Sequence, residues 1–215
     1  MNGRPDPDVT DLVRDVVDGY LAEDEVLLGA RERAARLGVT PIGPAGGATL
    51  RFLSATIGAR AVVEVGTGAG VSGLWLLRGM ARDGVLTSID VDPECQRAAR
   101  TAFVTAGYGP SRLRLINGMG IEVLSRLTDG AYDMVFVDSL PVEYPSHLDE
   151  AVRLLRPGGL VVLDDVLSAG HLDDGTAVDP ATLAVRDLAR QVREDERLVP
   201  VLLPVSGGLL CALKK

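Results

Sequence analysis

Hydrophobic residues in this chain occur first at helical spacing and then, from residue 61 onward, in short uninterrupted runs. Five runs lie between residues 61 and 164, separated by amphipathic segments of helical period; they cover 61–65, 85–90, 113–116, 133–138 and 160–164. Apolar runs that alternate with amphipathic helices are typical of a parallel sheet covered on both faces. The pattern predicts an α/β fold with helices on both faces of a mostly parallel sheet.

The last two apolar runs, 198–203 and 209–213, are separated only by residues 204–208. Five residues cannot form a parallel crossover, so these runs predict a C-terminal antiparallel hairpin and a seven-stranded sheet. Three proline signals predict helices that begin at Pro44, Pro93 and Pro180, the last two each preceded by an aspartate that can cap the helix.

The first 40 residues carry apolar positions at helical spacing between about 9 and 37. We interpret residues 1–40 as a helical extension packed on a single domain of residues 41–215. The apolar stripe suits simple packing on that domain, a subunit interface or a cover over the active site.

Composition narrows the class of protein. The chain has 215 residues, 47% of them hydrophobic, and a formal net charge of -8, which argues against a surface for nucleic acid or an anionic membrane. Cys95 and Cys211 have no metal or redox spacing, and the first residues contain no apolar leader. We therefore expect a cytoplasmic location and a small-molecule partner.

A glycine turn follows the first run, with Gly66, Gly68 and Gly70 leading into an apolar helix. Such a turn lets a nucleotide-like ligand approach the backbone. The dinucleotide fingerprint requires its third glycine at position 71, where this chain has valine. Glu64 suits a ligand with a positively charged end, such as the amino-acid end of S-adenosylmethionine. S-adenosylmethionine is therefore favoured over a nicotinamide cofactor. A turn that binds no ligand is the alternative.

Carboxylates lie at or one residue before the end of four of the five runs: Glu64, Asp90, Asp138 and Asp164, with Asp165 adjacent. Buried carboxylates need partners, so the set favours a ligand or cation at this edge, although each acid could instead cap a helix. Asp90 has the spacing of an acid that binds ribose hydroxyls.

Two further roles concern the ligand and the acceptor. Ser72 could donate to the carboxylate of the cofactor, and His171, which follows the fifth run, could reach a substrate. Asp138, Asp164 and Asp165 form an oxygen-rich set that suits a hard cation, with solvated loop acids as the alternative.

Together these segments resemble the cation-dependent class I O-methyltransferases related to catechol and caffeoyl-coenzyme A O-methyltransferases. The resemblance spans nearly the whole chain, through segments 64–72, 86–94, 132–138, 154–159 and 203–215. It implies a Rossmann-like fold, methyl transfer from S-adenosylmethionine to a small hydroxylated acceptor, a divalent cation such as magnesium, and a homodimer.

The resemblance also implies roles for individual residues. The expected cofactor-binding residues are Ile42, Glu64, Gly66, Thr67, Gly68, Gly70, Ser72, Asp90, Gly118, Gly120 and Asp138, with the two later glycines flanking the adenine. Asp138, Asp164 and Asp165 would hold the cation, and Asp138 and His171 are the expected catalytic residues.

Departures from the family pattern concern the acceptor side. Asp165 stands where asparagine is common in the family. Pro141 stands where many members have a lysine thought to assist deprotonation of the acceptor. A base such as His171 or Glu143, or the metal alone, would have to assist that deprotonation here. Met119 replaces an acid near the adenine, and Ser168 replaces an aromatic residue near the acceptor. A cofactor-binding homologue without metal-dependent catalysis is therefore a second hypothesis, and a nicotinamide-dependent oxidoreductase a third. A nucleic-acid or protein methyltransferase is disfavoured by the acidic balance.

Overall fold

The computed structural model describes residues 9–168, 172 and 179–215. Its strands are β1 (Ala61–Val65), β2 (Val85–Asp90), β3 (Leu113–Asn117), β4 (Tyr132–Val137), β5 (Leu155–Leu163), β6 (Leu198–Leu203) and β7 (Leu209–Lys214). Within the described residues, these seven strands form one sheet in the order β3-β2-β1-β4-β5-β7-β6. The strands β1 to β5 pair in parallel, whereas β7 is antiparallel to both β5 and β6. The predicted α/β fold with its C-terminal hairpin is confirmed.

Helices cover both faces of this sheet. They are α1 (Val9–Gly19), α2 (Glu25–Leu37), α3 (Pro44–Thr56), α4 (Val71–Gly79), α5 (Pro93–Thr105), α6 (Gly120–Leu124), α7 (Tyr144–Leu154) and α8 (Pro180–Glu194). The three predicted proline starts are confirmed. Asp92 caps α5 by accepting a hydrogen bond from the Glu94 amide at 2.8 Å, and Asp179 caps α8 through the Thr182 amide at 3.0 Å.

Alternation along the central strand β4 explains why the sheet is covered twice. Met134 and Phe136 point into one apolar cluster, which also contains Trp75 of α4. Val135 and Val137 point into the other, which lies under α7 and α8. Successive side chains of a strand face opposite ways, so a wholly apolar strand needs helices on both faces.

The fifth strand begins earlier than its apolar run. The residues Arg156, Pro157, Gly158 and Gly159 favour a tight turn, and the apolar run predicts a strand from 160, but β5 begins at Leu155. Its pairing with β4 shifts register between Tyr132 and Met134, and Gly158 has φ of 75°. A bulge within the strand absorbs the residues that the sequence suggested as a turn.

The N-terminal segment divides into two helices with different surroundings. The buried side of α2 consists of Leu27, Ala30 and Ala34. By contrast, the apolar side chains along and just after α1 are exposed; they are Leu12, Val13, Val16, Val17, Tyr20 and Leu21. Only part of the predicted apolar stripe therefore packs on the body of the protein.

None of the described helices combines the length and the apolar character needed to cross a bilayer.

Candidate active site

The glycine turn leaves the sheet where β1 and β4 are closest. Gly66 has φ of 96°, and a Cβ built on it would lie 1.8 Å from the carbonyl oxygen of Asp138. On either side the backbone is tied to its neighbours: the Gly66 amide donates to the Ile89 carbonyl at 2.9 Å, and the Asp138 amide donates to the Val65 carbonyl at 2.8 Å. Only glycine fits this position, because both the backbone angle and the available space exclude a side chain.

Asp90, at the end of β2, fixes the next part of the turn. One oxygen of its carboxylate accepts a hydrogen bond from the Gly68 amide at 2.9 Å, and the other accepts from the Asp92 amide at 2.9 Å. The carboxylate therefore lies against the turn, beside the cleft that the turn borders. Its role as a ribose-binding residue stays a prediction.

Glu64 lies beneath the turn and is fully buried. Its carboxylate accepts hydrogen bonds from the hydroxyls of Ser72 and Ser88, each at 2.5 Å. Burial raises the pKa of Glu64 to about 7, against the opposing effect of the two hydroxyl groups. The sequence suggested that Glu64 faces the positive end of a ligand and that Ser72 donates to one. In the structure these two side chains bond to each other, which makes Glu64 a support for Ser72.

The buried network continues to Gln96 of α5, a residue that sequence reasoning missed. The Ser88 and Thr67 hydroxyls lie 2.7 Å apart, and the Gln96 amide nitrogen donates to Thr67 at 3.0 Å. The same nitrogen lies 3.3 Å from the Ser88 carbonyl and 3.2 Å from the Ile116 carbonyl. Gln96 thereby joins β2 and β3 to the glycine turn. A detectable signal was Ser88 itself, a hydroxyl in an otherwise apolar central strand.

A cleft of about 160 Å³ opens above the turn at the carboxyl edge of the sheet. It brings together seven of the predicted cofactor residues: Ile42, Gly66, Thr67, Gly68, Ser72, Asp90 and Asp138. Its remaining lining residues, Val39, Thr40, Pro41, Ala69 and Val71, were not predicted individually. The first three belong to the segment before α3, in which the resemblance pointed only to Ile42.

The other predicted residues lie elsewhere. Gly70 packs on α5, because a Cβ there would lie 3.0 Å from the Cα of Ala99. Gly118 donates its amide to the Asp90 carbonyl at 3.0 Å, at the end of β2. A Cβ on Gly120 would lie 2.7 Å from Val65 of β1 and 2.8 Å from His147 Nε2 of α7. His171 lies outside the described residues.

Three acids lie where β4 and β5 end. Asp164 is only 4% exposed, and Asp138 lines the cleft. Burial raises the pKa of Asp138 to about 7, with a further contribution from the charge of Asp165. Burial and the charge of Asp138 raise the pKa of Asp164 in the same direction. In the described part of the chain, no Lys or Arg lies close enough to lower the pKa of Asp138 or Asp164. The buried Asp164 and the half-buried Asp138 therefore lie together without a compensating cation.

Local contacts hold the acids in place. Asp165 has φ of 60° and accepts a hydrogen bond from Ser168, while its amide donates to the Asp164 carboxylate at 2.8 Å. The buried hydroxyl of Tyr144 donates to the Asp164 carbonyl at 2.9 Å. Among the described residues, no group of three or more His, Cys, Asp or Glu side chains is arranged to hold a metal ion as it stands. The carboxylates supply the oxygen donors that a hard cation prefers, and Ser168 occupies only one oxygen of Asp165.

The turn between β6 and β7 connects the two ends of the site. The Ser206 hydroxyl accepts from the amide of Gly46 in the first turn of α3 at 3.0 Å. The carbonyl of Gly207 accepts from the Leu167 amide at 2.7 Å, and that of Gly208 from the Val166 amide at 3.1 Å. The hairpin thus ties the segment after β5 to the helix that follows Ile42.

Comparison with known proteins agrees with this geometry. A family model described as O-methyltransferase matches residues 21–215. A Mycolicibacterium vanbaalenii protein, provisionally named an O-methyltransferase, is 54% identical over 194 residues, which cover 90% of this chain and 86% of that protein. A Mycobacterium tuberculosis protein with a similar provisional name is 50% identical over 214 residues, covering 100% of this chain and 96% of that protein.

Solved structures share the fold over almost the full length. A Corynebacterium glutamicum protein is 34% identical with a TM-score of 0.90, and the match covers 96% of this chain and 97% of that one. The Streptomyces achromogenes O-methyltransferase TomG, which is involved in tomaymycin synthesis and was solved with S-adenosylmethionine, is 25% identical with a TM-score of 0.85. That match covers 95% of this chain and 96% of TomG.

Proposed function

This chain belongs to the S-adenosylmethionine-dependent O-methyltransferase family, and on that premise we propose that its acceptor is a small phenolic or catechol-like molecule, methylated with the help of a divalent cation. One observation carries the proposal: the cleft at the carboxyl edge ends at Asp138, next to two further acids that lack a basic partner. The family match excludes the nicotinamide-dependent alternative.

The cofactor would occupy the cleft above the glycine turn. Asp90 is placed to accept hydrogen bonds from ribose hydroxyls while it holds the Gly68 amide. Ser72 lines the cleft and donates its hydroxyl hydrogen to Glu64, so toward the cofactor its oxygen would act as an acceptor. Ile42 closes the cleft from the segment before α3, as expected for the methionine end. The Gly66 backbone brings this site directly against Asp138.

The fit of a cation rests on the chemistry of the acids. A buried and a half-buried carboxyl that lie together without a basic partner are expensive to ionise, and a divalent ion would supply the missing charge. When bound, S-adenosylmethionine supplies the methyl group, and the cation supplies a Lewis acid that lowers the pKa of the acceptor hydroxyl. Asp138, Asp164 and Asp165 would hold that cation.

This chain's own contribution is then mostly position and charge. Asp138 borders the cofactor cleft and also belongs to the acid set, so it fixes the distance between the two reactants. Pro141 cannot accept a proton, which leaves Glu143 and His171 as candidate bases, and His171 stays a prediction because it is outside the described residues.

A methylation assay tests the proposal. Purified protein with S-adenosylmethionine and 4-methylcatechol should form S-adenosylhomocysteine in the presence of Mg²⁺ and not after chelation with EDTA. Asp138→Ala should abolish turnover, whereas Asp149→Ala, at an exposed position on α7, should leave it intact. Tight binding of S-adenosylhomocysteine with no metal-stimulated methylation of any catechol would instead support a cofactor-binding homologue without metal-dependent catalysis.

We also propose that the chain is a homodimer formed through α1. Its exposed apolar side chains border a groove of about 460 Å³ between α1 and α3, whose lining includes Tyr20 and Phe52, exposed by 82% and 68%. Apolar surface of this extent is typical of an interface. The dimer should dissociate in Phe52→Glu and persist in Val104→Glu, an exposed position on α5, when mass is measured by light scattering. The cytoplasmic location stays a prediction from sequence.

A further inference from the structure

The carboxyl edge of the sheet, where the cleft opens, is built from segments without basic residues. Among the described residues these segments are 38–43, 66–70, 91–92, 118–119, 138–143, 164–168 and 204–208, and none contains Arg or Lys. Acids are frequent at the same edge; those with described positions include Asp90, Asp92, Asp138, Asp164 and Asp165. An acceptor that approaches this edge therefore meets a negative potential.

Basic residues collect at the opposite edge and have structural partners there. Arg112 donates to the Ala81 carbonyl at 3.0 Å, before β2 begins. Arg156 pairs with Asp133 at 2.7 Å near the start of β4, and Lys214 donates to the Val152 and Leu155 carbonyls, both at 2.7 Å. The two edges of one sheet thus differ in charge, and the functional edge is the acidic one.

The N-termini of α3 and α5 at the functional edge do not compensate for the missing basic residues. Free amides at a helix N-terminus can bind phosphate. At α3, however, the Ala45 amide donates to the Asp18 carboxylate at 3.1 Å, and the Gly46 amide donates to Ser206 at 3.0 Å. The first turn of α5 carries Glu94. These ends already have acceptors or acids of their own, so an anionic group gains little there.

Glu143 occupies the rim of the same edge. It ends the short 3-10 helix Pro141–Glu143, which follows the Asp138 loop, and it belongs to no ion pair among the described residues. Leu140 and Val142, in the same segment, are 65% and 52% exposed. Apolar side chains next to an unpaired carboxylate suit an aromatic molecule that is neutral or carries a positive charge.

We propose that this site selects its acceptor by charge, accepting a neutral or cationic hydroxylated ring and rejecting anionic rings and coenzyme A thioesters, with Glu143 as a specificity-determining residue. The inference rests on the proposed function, since it concerns the acceptor of that same site. A coenzyme A thioester carries several phosphate charges, which proteins ordinarily bind with Arg and Lys, and the edge segments contain neither.

Acceptors that share one ring and differ in charge provide the test. Initial rates of methylation are compared for dopamine, 4-methylcatechol, 3,4-dihydroxyphenylacetate and caffeoyl-coenzyme A. We expect kcat/KM to be about fivefold lower for 3,4-dihydroxyphenylacetate than for dopamine. These acceptors differ by two unit charges, and fivefold is the effect of that difference on a carboxylate roughly 8 Å away in water. The difference should shrink in 0.5 M salt, because salt screens exposed charges. Caffeoyl-coenzyme A should be the poorest acceptor. Equal or higher kcat/KM for either anionic compound would overturn the proposal.

A matched pair of variants locates the effect. Glu143→Lys reverses the charge at this position, so the ratio of anion to cation kcat/KM should shift about 25-fold toward the anion, the square of the fivefold effect. Asp149→Lys makes the same charge change at an exposed position of α7 and should leave the ratio as it is in the unmodified protein. An equal shift in both variants would remove the role assigned to Glu143.

Failure of the proposed function would be distinguishable from failure of charge selection. If the protein binds S-adenosylhomocysteine but methylates no catechol, the acceptor class is wrong. Charge selection is then measured by calorimetry, as the affinity of the three catechols for the protein loaded with S-adenosylhomocysteine. Affinity that falls from dopamine to the anion supports it, while equal affinities or no binding of any catechol would refute it.

Discussion

Replacing Gly66 with alanine tests whether the contact between the glycine turn and Asp138 controls the cofactor site. The new Cβ would lie 1.8 Å from the Asp138 carbonyl oxygen, so β1 and β4 would have to separate by about 1 Å or more at this point. Gly66 also has φ of 96°, an angle that L side chains rarely adopt.

Both effects have known magnitudes. Overpacking of this kind costs about 1–3 kcal/mol, and a side chain at positive φ costs about 1–2 kcal/mol, so the unfolding free energy should fall by about 3 kcal/mol. For a chain of this size that loss corresponds to a Tm decrease of roughly 6–12 °C. Affinity for S-adenosylhomocysteine should fall at least about tenfold, because the turn and Asp138 move together.

Gly107→Ala is the matched control. Gly107 has φ of 86°, nothing lies within 4 Å of the position that a Cβ would take there, and the residue follows α5 away from the cleft. This variant should lose about 1–2 kcal/mol of stability from backbone strain and keep full affinity for the ligand. Urea unfolding and calorimetry measure both quantities. Equal stability losses in the two variants, or undiminished affinity in Gly66→Ala, would refute the reasoning.

Three further predictions concern the network around the turn. Gln96→Leu removes the amide that donates to the Thr67 hydroxyl and to two carbonyls, so the unfolding free energy should fall by about 2 kcal/mol. In steady-state kinetics the KM for S-adenosylmethionine should rise while the KM for the acceptor stays constant. An equal rise in both KM values would contradict a specific role of Gln96 at the cofactor site. Asp90→Asn keeps the size of the side chain but can accept from only one of the two amides, so calorimetry should show about tenfold weaker S-adenosylhomocysteine binding with little change in Tm. The pKa of Glu64 is raised from its ordinary value of 4.5 to about 7, so the folded protein holds this proton more tightly than the unfolded chain does. The unfolding free energy should therefore fall as pH rises from about 4.5 to 7, and Glu64→Gln should remove this part of the pH dependence. A stability difference between the two proteins that does not vary with pH would rule out this role of Glu64.

Much of the fold was predictable because the relevant signals are local. Caps and prolines marked the starts of α5 and α8, and a five-residue connection permitted only a hairpin at the C-terminus. The early start of β5 was not predictable, because Gly158 at positive φ can form either a turn or a bulge, and pairing with β4 decides between them.

The candidate site divides in the same way. Convergence of Asp90 and Asp138 on one cleft could be predicted, since the carboxyl ends of parallel strands meet at one edge. The role of Gly70 could not be predicted, because it depends on the packing of α5 against the turn. The α5 residue in contact is Ala99, which lies 29 positions later in the sequence. A glycine in a motif looks the same whether a ligand or a helix occupies the space beside it.

By itself, the sequence determined the order of strands and helices, the glycine turn and the acids at the strand ends, because these follow from hydrophobic period, backbone permissiveness and caps within short segments. Only the tertiary structure decided which way each acid faces. Glu64 turns inward because Ser72 and Ser88 supply hydroxyl donors from a different helix and strand, whereas Asp138 and Asp164 find no basic partner in the described chain. A buried carboxylate takes the orientation in which its oxygens are best satisfied, and those partners are distant in sequence.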